Sequence, residues 1–208
     1  MTIDLAVFDI AGTTVQEHGL VYEALREATG VEDVDAYMGA DKREAIKALG
    51  CDDVEAVHDD FRRRLNEKYD ARPPQPIEGV PELFARLRAD GVKIALTTGF
   101  DRAITDSVLE RVGFNGDTID AVICADDVPQ GRPAPYMVFR AMELTGVTDV
   151  SKVLVAGDTL LDIGAGTNAG AAYVVGVLSG GVPPETLGTH RHTHILPSVA
   201  ELKGARPL

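Results

Sequence analysis

Apolar and polar positions fall into two textures along this chain. Leu5–Phe8 is an unbroken apolar run of strand length, as a strand buried on both faces requires. Asp9 ends it, and Gly12 lets the backbone leave sharply, with the hydroxyls of Thr13 and Thr14 beside it. A helical texture follows. Over Glu17–Thr29, Val21, Ala24, Leu25 and Ala28 recur at helical spacing. Asp41–Leu49 reads as a second helix, with Asp41 and Glu44 spaced as a capping box and Gly50 closing it. Asp52–Tyr69 reads as a third, striped by Val54, Val57, Phe61 and Leu65. No strand pattern appears between Glu17 and Ala71, and the stiff segment Arg72-Pro73-Pro74-Gln75-Pro76 ends the block.

Beyond Ile77, helices and apolar runs alternate. Helices are expected at Pro81–Ala89, Ala103–Val112, Tyr136–Leu144 and from Leu160. Strands are expected at Lys93–Leu96, Ala121–Cys124, Lys152–Val155 and Ala172–Val177. Such alternation predicts an α/β fold, a Rossmann-like parallel sheet flanked by helices, to which Leu5–Phe8 also belongs. The helical block is therefore an insertion after the first strand. The expected division is a core of residues 1–14 and 77–208 and a small helical domain of residues 15–76.

Charge narrows the partners. A formal net charge of −13 argues against nucleic acid and anionic membrane, so a phosphorylated substrate would need locally supplied positive charge. Neither a signal peptide nor a spanning segment is evident, and Cys51 and Cys124 lack metal-site or nucleophile spacing, so a cytoplasmic protein with free thiols is expected. His190, His192 and His194 would share one face of a strand, but an edge strand leading into a final helix Ser198–Lys203 is the favoured reading over a metal site.

Candidate chemistry gathers at strand ends, where open α/β sheets place ligands. Asp9 follows the first strand. Thr97-Thr98-Gly99 ends another with hydroxyls and amides suited to phosphoryl oxygens. Asp158 and Asp162 straddle a helix start after a third, and carboxylates gathered near Asp9 suit Mg²⁺. Arg132 adds a cation in a loop.

The ordered set Asp9-Ile-Ala-Gly-Thr-Thr, Thr97-Thr98-Gly99, Arg132 and Gly157-Asp158…Asp162 resembles the haloacid dehalogenase superfamily over nearly the whole chain, with the helical block as its cap. Within it the chain looks most like the phosphonatase branch. Ala11 stands where most superfamily phosphatases carry a second aspartate, and Arg132 where most carry lysine. Met38-Gly39-Ala40-Asp41-Lys42 matches the cap motif whose lysine forms a Schiff base with an aldehyde.

The resemblance implies that Asp9 attacks phosphorus and becomes an aspartyl-phosphate, while Lys42 forms an imine with a 2-oxoalkylphosphonate, phosphonoacetaldehyde or a relative. It implies Mg²⁺ held by Asp9, the Ala11 carbonyl and Asp158, with Asp162 and Thr13 behind them. Arg132, Thr97, Thr98 and Gly99 would hold the phosphoryl group, Met38 and Phe100 would line the substrate pocket, and a homodimer would form through the cap. Ala45 and Phe100 depart from the histidine and tyrosine of that branch. The competing reading is a Mg²⁺-dependent phosphomonoesterase with Lys42 as a substrate anchor. Against it, Ala11 cannot protonate a leaving alkoxide. Lys42 should lie beside an apolar stripe at a helix start, where desolvation and the dipole favour the neutral amine.

Overall fold

A computed structural model describes residues 2–37 and 39–207. Its centre is β1 (Leu5–Asp9), every residue of which is buried. Ala6 and Phe8 face one apolar cluster and Leu5 and Val7 the other, which is why the run is apolar without alternation. β1 pairs in parallel with β4 (Lys93–Thr97) on one side and β6 (Val153–Gly157) on the other. Beyond β4 lies β5 (Ala121–Ile123), and beyond β6 lie β7 (Tyr173–Val177) and β8 (His194–Leu196). The six-stranded order β5-β4-β1-β6-β7-β8 reverses direction between β1 and β6. Asp9 and Asp158 leave the sheet at that crevice.

Helices cover both faces. On the Phe8 side pack α4 (Val80–Ala89) and α5 (Arg102–Val112), and on the Val7 side α6 (Tyr136–Thr145) and α7 (Leu160–Ala169). Phe84 of α4 bridges Phe8 and Phe114 at ring separations of 5.7 and 5.2 Å and is 1% exposed. Phe84→Ala removes both ring contacts and leaves a cavity, with an expected loss of about 3–5 kcal/mol in urea unfolding.

Between β1 and α4 the chain builds α1 (Leu20–Thr29), α2 (Lys42–Ala48) and α3 (Val54–Ala71), with α1 packed along α3. Asp41 and Asp53 cap α2 and α3 by accepting from the amides three residues on. Two strands do occur at the ends of this block: β2 (Val15–Gln16) pairs antiparallel with β3 (Gln75–Pro76), a ribbon too short to register as alternation. α1 begins at Leu20 rather than Glu17, because His18 and Gly19 adopt positive φ of 62° and 77° and break the turn.

At the carboxyl end, α8 (Pro184–Leu187) precedes the edge strand β8. The expected final helix Ser198–Lys203 is a single 3₁₀ turn, Val199–Glu201, capped by the Ser198 hydroxyl. Its three residues, between Pro197 and Gly204, are too few for an α-helical hydrogen-bond ladder. Only His194 lies on a strand; His190 and His192 sit in the preceding loop, where His192 Nδ1 lies 2.8 Å from the His190 carbonyl oxygen. The three therefore share no strand face, and among the described residues no group of three His, Cys, Asp or Glu side chains is placed to hold a metal. No helix of the described residues is long and apolar enough to cross a membrane.

Candidate active site

The turn after β1 is closed by its own backbone. Val15 and Thr14 amides donate to the Ile10 carbonyl, and the Thr14 hydroxyl donates to the Asp9 carbonyl at 2.9 Å. Asp9 is thereby held at the mouth of the sheet, 5% exposed. From the loop after β5, Arg132 reaches it with an Nη1–Oδ1 distance of 2.5 Å, and the same nitrogen pairs with Asp162. Asp162 has a second duty: its Oδ2 accepts from the Thr159 amide and hydroxyl and caps α7. One helix start thus fixes the guanidinium that faces Asp9.

Asp158 is seated differently. The Thr13 hydroxyl donates to its Oδ1 at 2.8 Å, and its other oxygen packs between Gly12 and Gly180. A Cβ at Gly180 would collide with that carboxylate, so only glycine fits there. Ser179 ties the same loop down by donating to the Gly12 carbonyl at 2.6 Å. Asp9 and Asp162 share the Arg132 guanidinium in this buried cluster, and Asp158 adds a third carboxyl beside them. Burial, opposed by Arg132 and reinforced by Asp162, pushes the Asp9 carboxyl up to about 7. Burial and repulsion from Asp9 raise Asp158 as well.

The helical block closes over this mouth. Gly99 lies so close to the carbonyls of Gly39 and Ala40 that no side chain could stand there, and Arg132 Nη2 donates to the Gly39 carbonyl at 2.8 Å. Behind the contact, Arg43 of α2 lies 3.9 Å from Asp101 and 3.7 Å from Asp126. Lys42, the first residue of α2, is 3% exposed; its Nζ donates to the Ala40 carbonyl at 2.8 Å and lies 5.6 Å from the Phe100 ring centre. Its amine is brought down to about 8, first by burial and next by the Arg132 charge, with Asp41, Asp9 and Glu17 opposing. Burial is thus the expected cause, and Arg132 is a second one that spacing along the chain could not reveal.

Asp9, Ala11, Lys42, Thr98, Gly99, Phe100, Arg132 and Asp158 all line one cleft. Thr13 and Asp162 stand behind its walls as supports, and Thr97 stays buried at the end of β4, paired in register with Asp9. Thr98 is partly committed to the fold, since its amide donates to Ile123 and its hydroxyl accepts from the Phe100 amide. Met38, expected in the pocket, lies outside the described residues. The cleft also holds residues that sequence reasoning missed: Glu17, Tyr22, Thr159 and Gly180. Ser-Gly-Gly following β7 was the available signal for Gly180; Glu17 and Tyr22 gave none beyond helix periodicity.

A parallel sheet with the buried carboxylate of Asp9 at the end of β1, a cleft at the crevice and a helical block above it defines a class. Residues 3–170 match the haloacid dehalogenase-like hydrolases, and the chain belongs to that family. Phosphonoacetaldehyde hydrolase from Bacillus cereus is 32% identical over 209 residues, covering 86% of this chain and 77% of the relative. The Bacillus anthracis phosphonoacetaldehyde hydrolase is 33% identical with the same coverage. The crystal structure of a phosphonoacetaldehyde hydrolase like protein from Oleispira antarctica superposes with a TM-score of 0.84 at 23% identity, covering 98% of this chain and 91% of that one. CbbY from Rhodobacter sphaeroides in complex with phosphate superposes at 0.82 and 17% identity, with 97% of each chain covered. The chain is a haloacid dehalogenase-type hydrolase similar in sequence to phosphonoacetaldehyde hydrolases.

Proposed function

We propose that this hydrolase cleaves the carbon–phosphorus bond of a 2-oxoalkylphosphonate, phosphonoacetaldehyde or a relative, through an imine on Lys42 and an aspartyl-phosphate on Asp9. The observation that carries this reading is the placement of Lys42: a buried amine, its charge disfavoured, in the same cleft as Asp9 and Arg132. A lysine kept as a phosphate anchor gains nothing from losing its charge, whereas an imine-forming lysine must be neutral to attack. The neutral amine adds to the substrate carbonyl and water leaves, giving an iminium ion. Asp9 Oδ then bonds to phosphorus as the carbon–phosphorus pair moves into the iminium, giving an enamine. A proton added at the enamine carbon restores the iminium, water hydrolyses that iminium to release Lys42 and the carbonyl product, and a second water hydrolyses the acyl phosphate. Arg132 offsets charge on the phosphoryl oxygens, and Ala11 needs no acidic side chain because no alkoxide departs.

The donor set fits Mg²⁺. Asp9, Ala11 and Asp158 line the same cleft, where two carboxylates and a backbone carbonyl would offer Mg²⁺ the hard oxygens it takes, beside water and substrate oxygens. Burial raises both carboxyls, with Asp162 adding repulsion on Asp9 and Asp9 on Asp158, so a cation between them would favour the ionised donors. When bound, Mg²⁺ would neutralise phosphoryl charge. Chelation with EDTA should abolish phosphate release, and Mg²⁺ should restore it. Asp158→Ala should raise the Mg²⁺ concentration for half-maximal activity by about 10- to 100-fold. Full activity in EDTA would exclude this donor set.

A further inference from the structure

Glu17 has no part in the mechanism above, and this inference rests on that mechanism. It is a carboxyl group 8% exposed, lining the same cleft as Lys42. Six titratable side chains line the cleft: Asp9, Glu17, Tyr22, Lys42, Arg132 and Asp158. Asp9 is the nucleophile, Lys42 the amine and Arg132 is bound to Asp9 and Asp162. Asp158 is held by Thr13 beside the metal donors. The Tyr22 phenol is raised by burial and by the surrounding carboxylates, so it stays protonated and serves poorly as a base. Glu17 is left as the carboxyl group that imine chemistry can use to move a proton, and position 45, next to Ile46 on α2, holds an alanine that cannot.

The backbone around Glu17 is unusual for a helix start. Its Oε1 accepts from the Gly19 amide and its Oε2 from the Val21 amide, each at 2.9 Å, so it caps α1 from two residues upstream. This route forces His18 to φ 62°, the positive-φ non-glycine among the described residues. A serine or aspartate at position 19 would cap the helix without that left-handed residue. This route holds Glu17 at the wall of the cleft, where a cap at position 19 would leave no such residue. Each oxygen uses one lone pair on an amide, so either can still carry a proton toward the cleft. Burial raises the Glu17 carboxyl above its ordinary range, and Glu17 and Lys42 feel each other's charge.

We propose that Glu17 is the acid–base group of the Lys42 imine. In dehydration of the carbinolamine, the nitrogen lone pair forms the C=N bond as the C–O bond breaks. The departing hydroxyl takes the Glu17 proton and leaves as water, and the new carboxylate faces the iminium ion. At the end of the cycle water adds to the iminium, and Glu17 takes back the proton that water releases.

The test is borohydride trapping of Lys42 with 2-oxopropylphosphonate and with phosphonoacetaldehyde, in the wild type and in Glu17→Gln, with adduct formation timed by mass spectrometry. Glutamine keeps the shape and one amide contact but neither supplies nor takes a proton at this pH. Trapping should slow by about 100-fold, while inorganic phosphate binding, read by calorimetry, stays at the wild-type affinity. Equal trapping rates would overturn the role of Glu17 and leave the imine reading standing. No adduct on wild-type Lys42 would overturn that reading and the role together. If Glu17→Gln does not fold, Glu17→Ala with added formate carries the test: restored trapping supports the proposal, and unrestored trapping in a folded variant overturns it.

Discussion

Asp9→Asn should leave a folded protein with turnover lowered by at least ~10⁴-fold, the scale of losing a nucleophile. The amide has the shape of the carboxylate but cannot bond to phosphorus and later release it, and it is a poor cation ligand. The fold should not suffer. Asp9, Asp158 and Asp162 surround the one guanidinium of Arg132, and removing one negative charge from this buried cluster relieves repulsion that now raises Asp9 and Asp158. Arg132 keeps Asp162 and the Gly39 carbonyl as partners. The melting temperature of Asp9→Asn in EDTA should therefore equal or exceed that of the wild type, the signature of an active site that trades stability for function. A sharp fall in melting temperature would make Asp9 a structural residue. Phosphate release above 1% of wild type would move the nucleophile elsewhere.

What the sequence disclosed follows from which interactions are local. β1 was legible because burial on both faces demands an uninterrupted apolar run, and Leu5–Phe8 supplies one. Asp9, Thr98 and Asp158 were legible because the ends of parallel strands converge at one edge of the sheet whatever the loops do. The start of α2 was legible because Asp41 caps it from the adjacent position. The start of α1 was not: periodicity carries Glu17 into the helix, and only the left-handed His18 and Gly19 reveal that its side chain folds back as the cap. The seating of Asp158 against Gly180, of Gly99 against the Gly39–Ala40 carbonyls and of Arg132 on both Asp9 and Asp162 depends on segments far apart in the chain. No spacing rule reports such contacts. The terminal helix failed for the opposite reason: Val199 and Leu202 are buried in the core, but Pro197 and Gly204 bound a stretch with room for one 3₁₀ turn.

Lys42→Arg separates carbon–phosphorus cleavage from ester hydrolysis. Guanidinium keeps the positive charge and can still meet the Ala40 carbonyl, but it has no pKa within reach of neutrality and cannot form this imine. With 2-oxopropylphosphonate or phosphonoacetaldehyde the variant should release phosphate at least ~10³-fold more slowly than the wild type, as expected when covalent catalysis is lost. Borohydride in the presence of either ketone or aldehyde should inactivate the wild type irreversibly and leave the variant untouched. The pH dependence follows from the amine. Burial and the Arg132 charge bring Lys42 down to about 8, and the attacking form is the neutral one, so the trapping rate should rise with pH through about 8 and level off above it. An unperturbed lysine would still be climbing at pH 10. If instead phosphate esters are hydrolysed equally well by wild type and Lys42→Arg, and no adduct forms on the wild type, Lys42 is a charge that anchors substrate and the enzyme is a phosphomonoesterase. Ala11 weighs against that outcome, because an alkoxide leaving toward position 11 would find a methyl group where it needs a proton.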